Sequence, residues 1–319
     1  MIARLFSFAL AAGFASLALA QQDPAKPVRV VNPFPAGGPV DVVGRPVLEK
    51  LRAELGEGFV MDYRPGAGTT IGSELVAKAP PDGYTLLFTA SQHAINPGVY
   101  KKLPYDTAKD FAPISPVAQG PFVLVVHPSV AAKDVRELIA LAKAQPGKLN
   151  FASASSGSGF HMAGEMLKTL AGVDIVHVPY KGGAPAATAV LAGEVQMLFA
   201  SPAAVLPNVK AGKLRLLAVT TSERSPLVPG VPSMAEAGVP GYDADTWYGL
   251  FAPAGTPREI VDMLSQRVDR IVKSAEIREL YAKAGLEPAG GTPEAFAARI
   301  ARDMAKWSKV AQQTGAKVE

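Results

Sequence analysis

Cysteine is absent from the 319 residues. That excludes thiol catalysis, disulfide redox chemistry and iron–sulfur ligation. Histidine is scarce: His93, His127, His161 and His177 are the only four. No two of them stand four apart, no His-Glu-x-x-His occurs, and no thiolate is present to help them, so a structural or catalytic metal centre is not expected. Charge is thin. Charged residues make up 19% of the chain, against roughly a quarter in an average domain. The 32 basic and 28 acidic residues are dispersed, leaving a net charge of +4 and no electrostatic footprint for nucleic acid. Beyond the first twenty residues no uninterrupted apolar run approaches the roughly 18 residues that a membrane-spanning helix needs. What is abundant is apolar surface, 48% of the chain, so extensive packing is expected.

The amino-terminal segment reads apart from the rest. Arg4 supplies a positive charge, Leu5 to Leu19 an apolar run, and Ala18-Leu19-Ala20 the small residues a signal peptidase needs. The chain then turns polar at Gln21-Gln22-Asp23. This pattern predicts a secretory leader over residues 1–20, cleaved after Ala20, with no cysteine beside the cut to carry a lipid. Residues 21–319 are too many for one comfortable core and fit two domains. A chain of this size buries a large core without crosslinks, so export does not demand disulfides.

Strand, loop and helix recur. Val28–Val31 reads as a strand, Pro33–Pro39 as a loop, and about Val40–Leu55 as a helix in which Pro46 predicts a kink or a late start. Phe59–Tyr63, the glycine-rich Arg64–Thr70 and Ile71–Lys78 repeat the order, and Tyr84–Thr89 is a third strand. Further on, strands are expected at Phe122–His127, Phe151–Ser153, Ile175–Val178, Val195–Phe199, Leu214–Val219 and Gly249–Ala252. Helices are expected at Asp134–Ala144, Phe160–Leu170, Pro185–Ala192, Arg258–Lys273, Ala275–Ala284 and Pro293–Gln313. The repeated order predicts an α/β protein with parallel strands and crossover helices. Two similarly built lobes are expected, each a mainly parallel sheet flanked by helices. The chain would cross near Pro121 and return in the proline-rich stretch Pro226–Pro240. That puts 21–121 and 227–319 in the first lobe and 122–226 in the second.

Three polar or glycine-rich loops, Pro35–Pro39, Gly66–Thr70 and Ser155–Gly159, each follow a strand and open a helix. Such loops lie at the carboxyl ends of strands, where free backbone N–H groups and the positive helix end stabilise an anion. Ordinary tight turns would look the same. None is a nucleotide motif: no Gly-Lys-Ser/Thr closes a phosphate loop, and Gly157-Ser158-Gly159 lacks the rest of a dinucleotide fingerprint. No serine sits in Gly-x-Ser-x-Gly, and nothing in the spacing gives Ser158 and His161 the third group that a hydrolase needs. His93 and His161 either face a cleft or are structural. Trp247-Tyr248-Gly249 either lines a pocket or packs a core or hinge.

Longer segments carry a resemblance. They are Val31 to Asp41 (VNPFPAGGPVD), Arg64 to Gly68, Ala79 to Leu86 (APPDGYTL), Leu103 to Asp106, His177 to Gly183 (HVPYKGG), Lys210 to Lys213 and Ala252 to Pro257. Together they resemble the extracytoplasmic solute receptors of tripartite tricarboxylate transporters, the Bug proteins, over essentially the whole chain after the leader. The resemblance implies a periplasmic, two-lobed binding protein of type II character with its ligand cleft between the lobes. A binding protein without enzymatic activity or cofactor is expected, and a monomer. The resemblance implies a small organic carboxylate or amino acid as ligand, and transporter subunits or a membrane sensor kinase as partner. The family's ligand segments fall here on Phe34, Pro35, Ala36, Gly37 and Gly38, on Thr69 and Thr70, and on Ser91 and His93. In the second lobe they fall on Ser155, Ser156, Gly157, Ser158 and His161, with Ser201 and Trp247 at pocket borders.

The leader generates a direct test. Amino-terminal sequencing of exported protein should start at Gln21; a start that retains Leu5–Leu19 would refute the cleavage.

Overall fold

A computed structural model describes residues 26–56 and 58–318. The leader lies outside them. Along the chain run β1 (Val28–Asn32), α1 (Pro39–Leu55), β2 (Phe59–Tyr63), α2 (Thr70–Ala77), β3 (Thr85–Ala90), α3 (Gln92–Val99) and β4 (Phe111–Pro121). Next come β5 (Val123–Val126), α4 (Val135–Ala144), β6 (Asn150–Ser153), α5 (Gly159–Ala171), β7 (Val176–Pro179), α6 (Gly183–Leu191), β8 (Met197–Ala200), α7 (Pro202–Lys210) and β9 (Arg215–Val219). The chain ends with β10 (Asp245–Pro253), α8 (Arg258–Val272), α9 (Ala275–Lys283), β11 (Glu287–Pro288) and α10 (Pro293–Thr314).

The strands form two sheets. One is ordered β11-β4-β10-β3-β1-β2, the other β7-β6-β8-β5-β9. β1 lies parallel to β2 and β3, and β6 parallel to β7 and β8, as the strand–loop–helix rhythm predicts. The sheets are nevertheless mixed rather than mainly parallel. β10 is antiparallel to β3 and β4, and β5 is antiparallel to β8 and β9. The cause is the crossing. Only Phe122 separates β4 from β5, so β5 enters its sheet from the end at which β6 and β8 finish. β10, arriving from the other sheet, enters the first one in the same way. The result is a two-lobed α/β fold.

Helices form where one face is apolar. α1 buries Val40, Val43, Val47, Leu48 and Leu51, and these pack with Val30, Leu86 and Phe88. It starts at Pro39, the position where proline is best tolerated, and runs through Pro46. Proline hid other elements. β4 carries Pro113, Pro116 and Pro121, which argue against a strand. Its pairing with β10 slips beside Pro116 and beside Pro113, so bulges absorb two of the three. α3 and α7, with Pro97 and Pro207 inside them, went unread for the same reason.

The chain leaves the second sheet later than its prolines suggest. Met234, Val239, Tyr242 and Ala244 pack with Leu124, Phe151 and Met162 of that sheet's core. The Val219 amide donates to the Pro232 carbonyl at 2.9 Å and the Met234 amide to the Val219 carbonyl at 2.9 Å. The Tyr242 hydroxyl donates to the Ala163 carbonyl at 2.6 Å. The chain re-enters the first sheet at Asp245, not at 227, because residues 232–244 bury their apolar side chains on the second. α10 does not belong to one side either. Phe296 and Ile300 pack with Val31, Leu87 and Phe251, while Trp307, Val310 and Ala311 pack with Phe151 and Met162.

His93 is fully buried among Tyr105, Phe111 and Phe251, with ring centroids at 5.9, 4.6 and 5.1 Å. Neither ring nitrogen has a partner among the described residues. Burial lowers its pKa to about 3. The unfolded chain, near 6.5, therefore takes up a proton that the folded chain refuses, and stability is lost as pH falls from about 6.5 toward 3. The limiting slope is about 1.4 kcal/mol per pH unit. His93→Phe should flatten the fall in urea midpoint between pH 6.5 and 4; an unchanged slope would refute this.

Candidate functional site

The two lobes meet where β1, β3, β6 and β8 finish, and the loops that follow these strands carry the candidate residues. After β1, Pro35, Ala36 and Gly37 are exposed and Phe34 and Gly38 half-buried. The loop is tied from beneath. The Phe34 amide donates to Asn32 Oδ1 at 2.9 Å, and the Gly37 amide to Asp41 Oδ2 at 2.9 Å. Gly37 has φ +77°, a left-handed conformation that only glycine adopts at no cost, and a Cβ there would meet nothing within 4 Å. Its glycine therefore serves the turn, and its N–H is already engaged. The amides of Ala36, Gly38 and Val40 have no protein partner among the described residues.

Asp41 is the keystone of this loop. It is buried, and it also accepts from Arg45 Nε at 2.8 Å and from the Tyr63 hydroxyl. Burial pushes its carboxyl up, but the bonds from Tyr63, Gly37 and Arg45 outweigh that and hold it below the ordinary range. Sequence reasoning passed over Asp41. Its position four after Gly37 and four before Arg45, on a first helical turn, was the available signal.

The second-lobe loop has a deeper support. Ser155 and Ser156 are exposed and Gly157 is buried. Ser158 caps α5: its Oγ donates to the Ser155 carbonyl at 2.7 Å and accepts from the His161 amide at 3.3 Å. The Gly157 amide donates to His161 Nδ1 at 3.0 Å, so that nitrogen is unprotonated and Nε2 carries the proton, 3.5 Å from Glu165 Oε1. Lys168 completes the Glu165 pair at 3.0 Å. Burial raises the Glu165 carboxyl, yet the bonds from His161 and Lys168 outweigh it and lower it overall. His161 stacks on His177 at 3.8 Å, and His177 Nε2 lies 2.6 Å from Ser153 Oγ, which donates to the Ser155 carbonyl. Burial lowers His177 to about 3. Glu165 and Lys168, four and seven residues beyond His161, were legible at helical spacing and were missed. The amides of Ser155, Ser156, Gly159 and Phe160 have no protein partner among the described residues.

The other candidates divide. Thr69 and Thr70 are buried at the turn into α2; Thr70 Oγ1 donates to the Ala67 carbonyl at 2.9 Å. Ser91 is buried with its Oγ 3.2 Å from Thr246 Oγ1. Ser201, half-buried, precedes α7 after β8. His93 and Trp247 are not on a cleft wall. His93 lies in the aromatic cluster described above, and Trp247, fully buried, donates from Nε1 to Asp303 Oδ2 at 2.8 Å and packs edge-on against Phe296. Both rings are drawn inward by apolar partners from β10 and α10. Arg45 and Lys168, on the helices that follow the two loops, are paired with Asp41 and Glu165. The two loops themselves present unpaired amides and the exposed Ser155 and Ser156, which suits an anion. Among the described residues no cluster of three or more His, Asp or Glu could hold a metal ion.

Residues 43–316 match the family described as tripartite tricarboxylate transporter family receptor. Protein BugT of Bordetella pertussis is 36% identical over 321 residues, covering 100% of this chain and 98% of its own. Among solved structures, an R. palustris protein with adipate superposes with a TM-score of 0.83 at 37% identity, over 92% of this chain and 99% of that one. The periplasmic binding protein BugD superposes with a TM-score of 0.79 at 32% identity, over 93% and 100%.

The support beneath the second-lobe loop is testable. His161→Phe keeps the stack on Phe151 and His177 but leaves the buried Gly157 amide without an acceptor. Urea unfolding should show a loss of about 1–3 kcal/mol; an unchanged midpoint would show that His161 only fills space.

Proposed function

The chain belongs to the tripartite tricarboxylate transporter receptor family, and from that premise we propose how this periplasmic receptor, a binding protein and not an enzyme, holds its solute. The ligand is a small carboxylate, in the first instance a dicarboxylate. One carboxylate sits against the free amides of Ala36 and Gly38 at the start of α1, with Phe34 and Pro35 shaping the wall. The Ser155–Gly159 loop, with the hydroxyls of Ser155 and Ser156, supplies the facing surface, and Ser91, Thr69, Thr70 and Ser201 border the space between. Gly37, Ser158 and His161 position the loops. The observation that carries this reading is that both loops are tied by their own lobe's side chains while the amides of Ala36, Gly38 and Val40 and of Ser155, Ser156, Gly159 and Phe160 stay unpaired among the described residues.

The energetics agree. Hydrogen bonds to a charged group contribute about 1.5–3 kcal/mol each, and the helix ends add about 0.3–1 kcal/mol each. After the costs of association a few such bonds reach micromolar affinity, about −8 kcal/mol. An amino-acid ligand would also need an acceptor for its ammonium, and Asp41 and Glu165 are both engaged. That favours a plain acid. Closure about the crossings at 121–123 and 244–245 shields the bonds from water, and the closed monomer delivers the solute to the membrane subunits of the transporter.

Adipate, the acid held by the R. palustris relative, is the first probe. It should raise the thermal midpoint and bind by calorimetry, while its dimethyl ester, alike in length but uncharged, should not. Equal binding of the ester would overturn the carboxylate clamp.

A further inference from the structure

α3 meets the second lobe through the apolar side chains of Ile95 and Val99 and through one hydrogen-bonding side chain. Gln92 Nε2 donates to the Gly157 carbonyl at 2.6 Å and to Asn96 Oδ1, one helical turn on, at 2.8 Å. Among the described residues it is the one side-chain hydrogen bond between residues 26–121 and residues 122–244. Asn96 is fully buried and passes the connection back into the first lobe. Its Nδ2 lies 3.1 Å from the Gly68 carbonyl, 3.1 Å from Thr69 Oγ1 and 3.4 Å from the Tyr105 hydroxyl.

The loop at that end is strained. Gly66, Ala67, Gly68 and Thr69 all have positive φ, at +136°, +43°, +57° and +80°. Alanine and threonine adopt such angles only where their surroundings over-determine them. The surroundings here are α3 and its end: Asn96 holds Gly68 and Thr69, and the Tyr100 hydroxyl donates to the Ala67 carbonyl at 2.9 Å. On the far side Gly157 has φ +72°, and a Cβ on it would stand 2.8 Å from Val318 and 3.3 Å from Val99. The Val318 amide in turn donates to the Val99 carbonyl at 2.9 Å. The second-lobe loop is thus seated directly on α3 and the chain end.

We propose that Gln92 and Asn96 form a clasp that couples the strained 66–69 loop of one lobe to the 155–159 loop of the other, and that Gln92 is the positioning residue for lobe closure. The physics is local. An amide has two N–H groups, and Gln92 spends one inside α3 and one across the cleft. When the lobes part, the Gly157 carbonyl loses its donor, while Asn96 keeps the 66–69 loop in its left-handed path. Closing therefore restores a bond between two loops that are already shaped, and the order of loops is kept while their separation changes. This inference builds on the carboxylate reading only in so far as the clasp serves capture; the clasp itself is a property of the lobes.

The test uses the absence of cysteine. Glu49→Cys on α1 and Glu194→Cys before β8, both exposed positions, take spin labels without competing thiols, and pulsed electron resonance reads the distance between lobes. Gln92→Leu should lengthen and broaden the distribution before any ligand is added, with the thermal midpoint showing that the fold is intact. Gln92→Glu keeps the size but sets a carboxylate against two acceptor oxygens, so it should open the lobes further than Gln92→Leu. With adipate as probe, both variants should bind about three- to tenfold more weakly. Distance distributions of both variants that coincide with the parent would overturn the clasp. A parent that closes normally yet ignores adipate and other acids would overturn the carboxylate reading and leave the clasp standing.

Discussion

Each lobe receives the strand that crosses from the other lobe, β5 or β10, at its cleft end, and most of the architecture follows from that constraint. A chain that passes from one sheet to the other with one residue between β4 and β5 has no room for a crossover helix. The incoming strand must oppose its neighbours, which sets the antiparallel pairings of β5 and β10. The same geometry puts the ends of β1, β3, β6 and β8 at the cleft, with the helix starts that follow them. Had the crossings lain at the far ends, these amides would face solvent on opposite sides of the molecule.

Buried charge is used to hold loops. Asp41 and Glu165 play comparable parts: Asp41 accepts directly from the Gly37 amide, Glu165 holds the His161 ring that accepts from Gly157, and each is paired with a cation on the same helix. Breaking a buried pair leaves an uncompensated charge and is costly, so these pairs make the loop shapes hard to change. Arg45 and Lys168 are consumed in this way, and in the proposed clamp the anion is held by amides and hydroxyls, whose hydrogen bonds are directional and discriminate by shape more than a mobile ammonium does.

α10 braces the crossings. Arg299 reaches Gln119 on β4 and Asp245 on β10, Asp303 receives the Trp247 indole, and Lys306 lies 3.6 Å from Asp243. The helix that packs on both cores also pins both strands of the hinge. The Gln92 contact lies beside the same brace, since α3 packs on α10 and Gly157 faces Val318 just beyond its end.

How much of this was legible follows from the range of each rule. Hydrophobic periodicity and turn residues act over a few positions, and they located β1 to β3, α5, α8 and α10 and the loops at 35–39 and 155–159. The motif resemblance carried the two-lobed class and the receptor role. The prolines of β4, α3 and α7 misled because their cost is local while the contacts that offset it come from β10 and α10. Likewise 232–244 looked like a linker until Met234, Val239 and Tyr242 were seen to find an apolar surface on another sheet. His93 and Trp247 sit in segments that reach the cleft, but which way a ring turns depends on neighbours from other elements, Phe251 for His93 and Phe296 for Trp247. The sequence by itself determined which segments become strands, turns and helix starts, because those choices are made by adjacent residues. Only the tertiary structure decided which amides stay free, as Gly37 and Gly157 lose theirs to Asp41 and His161, and which side chain spans the lobes, because those bonds depend on distances that folding alone brings to within 3 Å.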